Sequence, residues 1–213
     1  MTQPQAVADD AAQAAKRGPG RPRHADTEDR AYRAVLDLFG QRGWAGVSLD
    51  AVASHAGIGK SSIYLRWKDK HALLLDAVRH LEVGHVNPAP DLGIRDYLIA
   101  HARGRAELML GPHGPMIANV VSAAVANPAE FAEIRDESIT HEVLALVARV
   151  DRAIADGELP PSTSTAQLVD AIEGTVYFHF LMARAGAPRE ELAAGLEEYV
   201  TSLVDLVLRG LGA

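Results

Sequence analysis

Apolar positions recur at helical spacing along most of this chain, and the breaks between stretches are made by glycine and proline. In the first periodic stretch Ala31, Val35, Leu38 and Phe39 form one stripe. Asp26 or Thr27 suits its start, Glu28 and Asp29 fall in its first turn, and Gly40 and Gly43 bracket its end, with Trp44 closing a small core. A shorter stripe follows in Leu49, Val52, Ala53 and Ala56. Ser48 stands before it as an N-cap, able to accept from a backbone N–H that the first turn leaves unpaired. Asp50 adds a favourable charge at the positive end of the helix dipole. Gly57 then marks a turn needing positive φ, which Ile58 plugs. From Gly59 or Lys60 a third helix sets Ile63 and Trp67 four apart on a buried face, and Lys60, Ser61 and Tyr64 together on another.

Beyond Lys70 the pattern predicts long helices. One runs over 70–86 and stops at Asn87-Pro88-Ala89-Pro90. Others span 92–110, 116–126, a breakable 129–156, 165–185 and 189–211, separated by proline and glycine. No stretch alternates at period two and no internal repeat occurs. The predicted fold is all-α: a three-helix helix-turn-helix domain over 26–70, then a helical bundle over 71–213.

Charge sharpens this division. The chain of 213 residues is 48% hydrophobic with a net charge of −7, an odd balance for a partner of DNA. Residues 16–70, however, carry eleven Lys/Arg against six Asp/Glu, and residues 71–213 carry ten Arg against twenty Asp/Glu. A basic module joined to an acidic one implies that only the first meets phosphate. Residues 1–15 lack apolar periodicity, which predicts disorder. Within the predicted disordered basic arm, 1–25, the run Lys16 to His24 is basic and rich in glycine and proline. Its Gly20-Arg21-Pro22-Arg23 is similar to the core of an AT-hook, which lays arginine into a narrow minor groove. Pro19 stands where such a hook has arginine, so a solvated basic tail is the competing expectation. The absence of cysteine excludes disulfides and cysteine metal sites. No apolar run reaches the roughly 18 residues of a membrane span, and no signal-peptide core is present, so a cytoplasmic protein is expected.

The stretch from Ser48 to Lys70 suggests a DNA reader, with an ordinary helical hairpin as the plain alternative. Arg30 to Leu75 resembles the DNA-binding domain of the tetracycline-repressor (TetR) family of bacterial transcriptional regulators. The resemblance rests on AVLDLFGQRGW followed by VSLDAVASHAGIGKSSIYLRWKDKHALL, including Gly57-Ile58, Ile63-Tyr64, Trp67 and Lys70. Gly59 departs from the family's usual serine and Leu65 from a commoner polar residue. The resemblance implies a dimeric regulator on palindromic double-stranded DNA, most often a repressor released by a small molecule and at work on the bacterial nucleoid. Lys60, Ser61 and Tyr64 are the expected groove-facing residues, Lys60 as a donor to a base or a phosphate and Tyr64 to a phosphate through its hydroxyl, with Leu65 or the Ser62 region near thymine methyls. Ser48, Arg66 and Lys70 are expected on the phosphate backbone, with Arg21 and Arg23 reaching out from the arm.

For the bundle, the resemblance implies an internal effector site. Asn119, His141, Tyr177 and His179 are candidates to orient a ligand, and Met109, Met116, Phe178 and Met182 to line it; each suits ordinary core packing equally. Leu168, Ile172, Val176 and Phe180, with Leu196, Tyr199, Val200, Leu203, Val204 and Val207, make two wide stripes that suggest a four-helix homodimer interface. No catalytic constellation, cofactor motif or metal site emerges. His141-Glu142 lacks the second histidine of a zinc-protease motif, and Gly59-Lys60-Ser61 lacks the strand of a phosphate loop. The competing function is a helical protein-interaction module with an accessory DNA-binding domain and no effector pocket.

Overall fold

The computed structural model describes residues 23–80, 88–183, 186 and 188–212. Its helices are α1 (Arg23–Arg42), α2 (Leu49–Ala56), α3 (Lys60–Tyr64), α4 (Lys70–His80), α5 (Ile94–Leu110), α6 (Gly114–Ala126), α7 (Ala132–Arg135), α8 (His141–Ala155), α9 (Thr165–Ala183), α10 (Arg189–Ala194) and α11 (Leu196–Leu211). Among the described residues there is no strand. The fold is all-α, with an N-terminal helix-turn-helix unit and a C-terminal helical domain.

Local chemistry sets the boundaries. The Ser48 hydroxyl accepts from the Ala51 N–H at 3.1 Å and so caps α2. Gly57 ends that helix at φ 62°, in the left-handed region, and its N–H bonds the last carbonyls of the helix. Helix α6 begins two residues earlier than the sequence pattern suggests, because Pro115 sits in its first turn, where a missing N–H costs nothing. The expected break in 129–156 is a π-helical stretch, Asp136–Thr140, between α7 and α8. Gly195 divides 189–211 into α10 and α11. The predicted continuation of α4 past His80 lies outside the described residues.

The small head is built on Val35, Leu38, Phe39, Val52, Ile63 and Trp67, all buried. Trp67 also donates to Asp76 Oδ2 at 2.9 Å and meets Tyr32 edge-on, so its role is packing. Trp44 is half-buried and sits at the seam between head and bundle. It meets Phe131 edge-on at 5.0 Å and donates to Glu130 Oε1 at 3.1 Å. Phe131 is fully buried among Phe39, Trp44 and His71. Head and bundle therefore share one continuous apolar core.

In the bundle, α5 is sandwiched by α9 and α11. Leu168, Ile172, Val176 and Phe180 of α9, with Leu196, Val200, Leu203 and Val204 of α11, are buried inside the protomer. The eight were expected to face a second subunit; burial here leaves them no free face. Of that predicted set only Tyr199 and Val207 are partly exposed. Charged clamps fix the packing from outside: Arg103 pairs with Glu197, and Arg95 with Asp205 through two hydrogen bonds of 2.7 and 3.0 Å.

Candidate nucleic-acid interface and the bundle behind it

A second-helix reader works only if the turn before it is rigid. Arg30, on α1, donates from Nε to the Ala56 carbonyl at 3.0 Å and from one terminal nitrogen, Nη2, to both the Ala56 and Gly57 carbonyls. A positive charge thus grips the carbonyl end of α2 at the turn. Ile58 packs against the core beneath it, and Ile63 is fully buried. The result is that α3 has its outer face committed to solvent: Lys60, Ser61 and Tyr64 are exposed, and Leu65, just after it, is 86% exposed.

Two of these side chains are organised by a third. Asp50 on α2 accepts from Lys60 Nζ at 2.8 Å through one oxygen and from the Tyr64 hydroxyl at 3.3 Å through the other. The hydrogen bond from Lys60 holds the Asp50 carboxyl below the ordinary range, and the same bond holds Lys60 above it. Ser48 is exposed at the near end of α2; its hydroxyl oxygen already accepts from Ala51, which leaves its O–H to donate outward. Ser62 is half-buried.

Two expected backbone-holding residues have other work. Arg66 is largely turned inward, donating to the Ser62 carbonyl at 2.9 Å and lying 3.7 Å from Glu28. Lys70 donates to the Trp44 carbonyl at 2.8 Å and lies 3.9 Å from the centre of the Trp44 ring. Both are half-buried, and these bonds brace the head. Arg21 and the arm through residue 22 lie outside the described residues; Arg23 opens α1, its side chain likewise outside them. Arg30 and Asp50, which organise the turn and the face of α3, and the exposed Lys68 were not among the expected site residues. Only the Asp50–Lys60 pairing had a sequence signal, opposite charges on helices that the turn brings together.

The effector candidates scatter. Met109 and Met116 are buried. Asn119 bridges the two parts of the molecule, donating from Nδ2 to the carbonyls of Phe39 at 2.7 Å and Gly40 at 3.1 Å. It lines a cavity of about 300 Å³ with Gly40, Met109, Pro115, Ala118 and Leu181. Phe178, His179 and Met182, expected inside, line an outward groove of about 630 Å³ with Tyr199. Tyr177 is half-buried, with burial raising its hydroxyl pKa, and the side chain of His141 lies outside the described residues. Deeper still is an ionic cluster. Arg105 donates to Glu142 at 2.6 Å and to Glu173 at 3.1 Å, and His101 Nε2 lies 2.5 Å from Glu173. Burial raises the Glu173 carboxyl, but the His101 hydrogen bond and the Arg105 charge outweigh it and bring the group below its ordinary value. No cluster of metal-ligating side chains occurs among the described residues.

A glycine-turned helix pair with an exposed cationic face, fixed on an all-helical body, defines a helix-turn-helix DNA-binding regulator. Residues 32–77 match the family model described as "Bacterial regulatory proteins, tetR family", and residues 90–207 match "Tetracyclin repressor-like, C-terminal domain". The chain belongs to the TetR family; it is a transcriptional regulator and not an enzyme.

Similarity extends along most of the chain. The HTH-type transcriptional regulator YdeS of Bacillus subtilis (strain 168) is 26% identical over 165 residues, covering 76% of this chain and 82% of YdeS. The structure of the TetR family transcription regulator SCO0332 is 26% identical, with a TM-score of 0.58 over 87% of this chain and 98% of that one. The regulator FadR of Bacillus subtilis, in complex with stearoyl-CoA, is 16% identical with a TM-score of 0.69, over 85% of this chain and 98% of FadR. At that identity FadR speaks to the fold alone.

Proposed function

We propose that this protein is a dimeric repressor that reads a palindromic operator with α3 and lets go when a small molecule enters its bundle. The observation that carries it is the outward face of α3, where Lys60, Ser61, Tyr64 and Leu65 project from a helix whose opposite side is buried through Ile63, behind a turn gripped by Arg30. Lys60, Ser61 and Tyr64 offer polar groups to base edges, Leu65 an apolar contact for thymine methyls, and Ser48 and Lys68 contacts to phosphate. The arm carrying Arg21 and Arg23 adds phosphate or minor-groove contacts. The work is done in the cytoplasm, on the nucleoid.

Pairing of two protomers would run through the outer faces of α9 and α11, where Phe178, Met182 and Leu206 are 66%, 55% and 62% exposed beside the stacked His179 and Tyr199. Two heads one DNA turn apart, about 34–36 Å, then fit two half-sites. Release follows from the Asn119 joint. A ligand in the adjacent cavity competes with the two bonds from Asn119 to α1, and α1 carries the Arg30 grip on the reading turn.

Selection of bound fragments from genomic DNA, followed by footprinting, tests the proposal. Two-fold symmetric protection over two successive major grooves is expected; protection of a lone, asymmetric half-site would overturn it.

A further inference from the structure

We propose that Asp50 is a specificity-determining residue of the reading head, holding Lys60 and Tyr64 on one carboxylate so that they answer base edges and not phosphates in general. This rests on the DNA-reading face proposed above. The two oxygens of Asp50 are shared between two helices' worth of surface: Oδ2 takes the Lys60 ammonium at 2.8 Å and Oδ1 takes the Tyr64 hydroxyl at 3.3 Å. Lys60 and Asp50 side chains are both well exposed, so the pair lies on the working surface and is not a buried strut. Asp50 and Ser48 begin α2, and Lys60 begins α3, so the carboxylate also fixes how the two helices present their near ends.

Charge accounting gives the consequence. Sequence-independent binding is driven by free cations that displace counterions from phosphates. A lysine already neutralised by a neighbouring carboxylate brings little of that gain. To reach a phosphate, Lys60 would have to leave Asp50 and expose a negative charge beside the DNA backbone. An ammonium has three donors and Asp50 occupies one. The remaining two stay available to a fixed acceptor pair such as the O6 and N7 edge of guanine in the major groove. Tyr64 likewise donates its O–H to Asp50 in a hydrogen bond, and its oxygen remains to accept from a base amino group. The head is thereby biased against random DNA and toward a site offering acceptors at the right place.

The test measures binding of the full-length protein to its selected operator and to a scrambled duplex of equal length over a range of salt. Asp50→Asn should tighten binding to the scrambled duplex several-fold and steepen its log–log salt dependence by about one unit per engaged head. The operator-to-scrambled ratio should fall about tenfold, and Asp50→Glu should restore it. Asp50→Ser, also suited to a first helical turn, should repeat both changes if the Asn variant loses its thermal transition. An unchanged slope and ratio in a folded Asn or Ser variant would overturn the role of Asp50. Should the wild type fail to distinguish operator from scrambled duplex, the reading face itself fails, and that outcome is separate.

Discussion

At the scale of single residues, the head depends on a few polar contacts made by exposed or half-exposed groups. Lys60→Ala and Tyr64→Phe remove donors from the face of α3 without touching Ile63 or Trp67. Each should weaken operator binding about tenfold or more by fluorescence anisotropy while the thermal midpoint stays within about 1 °C; unaltered affinity in both would remove α3 from the interface. Arg30 behaves oppositely. Its bonds to the Ala56 and Gly57 carbonyls are charge-assisted, and such bonds contribute about 1.5–3 kcal/mol when well shielded. Arg30 is partly exposed, so Arg30→Ala should cost about 1–2 kcal/mol in chemical denaturation and weaken operator binding through a loosened turn.

Between elements, the cluster of His101, Arg105, Glu142 and Glu173 ties α5 to α8 and α9. Arg105 and Glu142 are each only 8% exposed, and Glu173→Gln leaves Arg105 with Glu142 as its carboxylate partner while removing the charge-assisted bonds that Glu173 makes to Arg105 and His101. The substitution should therefore cost about 1.5–3 kcal/mol at neutral pH. The pH dependence follows from the sign of the shift. The folded-state pKa of Glu173 is depressed, so its stabilisation is present above the unfolded value of 4.5 and is lost as pH falls through the lower folded value. Denaturation midpoints from pH 6 down to pH 3 should fall more steeply in the wild type than in Glu173→Gln; parallel curves would exclude this contribution.

For the whole molecule, the question is which apolar surface is spent inside the protomer and which is left for a partner. Leu203 is buried against the bundle, so Leu203→Glu should unfold the protein, costing at least about 3 kcal/mol, and not merely split a dimer. Phe178→Glu with Leu206→Glu charges the outer faces of α9 and α11 instead. That pair should sediment as a folded monomer and lose operator binding, whereas a folded, tight-binding dimer would place the interface elsewhere. Deleting residues 1–24 should lower affinity and flatten its salt dependence by roughly one unit for each phosphate that the arm neutralises. A greater loss of affinity on operators with A·T-rich flanks would point to the minor groove, and an equal loss on all flanks to a solvated tail.

Much of the head was legible in the sequence because its rules are local. A serine cap, a glycine at positive φ and residues three or four apart on one face are consequences of backbone geometry. They gave α2, the turn and the outward set Lys60, Ser61 and Tyr64 without any tertiary information. The same rules found the stripes of α9 and α11, but periodicity reports that a face is apolar and not what covers it. Packing on α5 decided that Leu168, Ile172, Val176 and Phe180, with Leu196, Val200, Leu203 and Val204, fill the protomer, and left Phe178, Met182 and Leu206 outside. Tertiary structure also chose the partners of Arg66 and Lys70, since a long cationic side chain has many targets within reach and only the folded surroundings select one. Contacts between residues far apart in the chain, such as Arg30 with Gly57 and Asn119 with Phe39, leave no periodic trace. They form only once the shared core has brought α1, α2 and α6 together, and they connect the reading turn to the bundle.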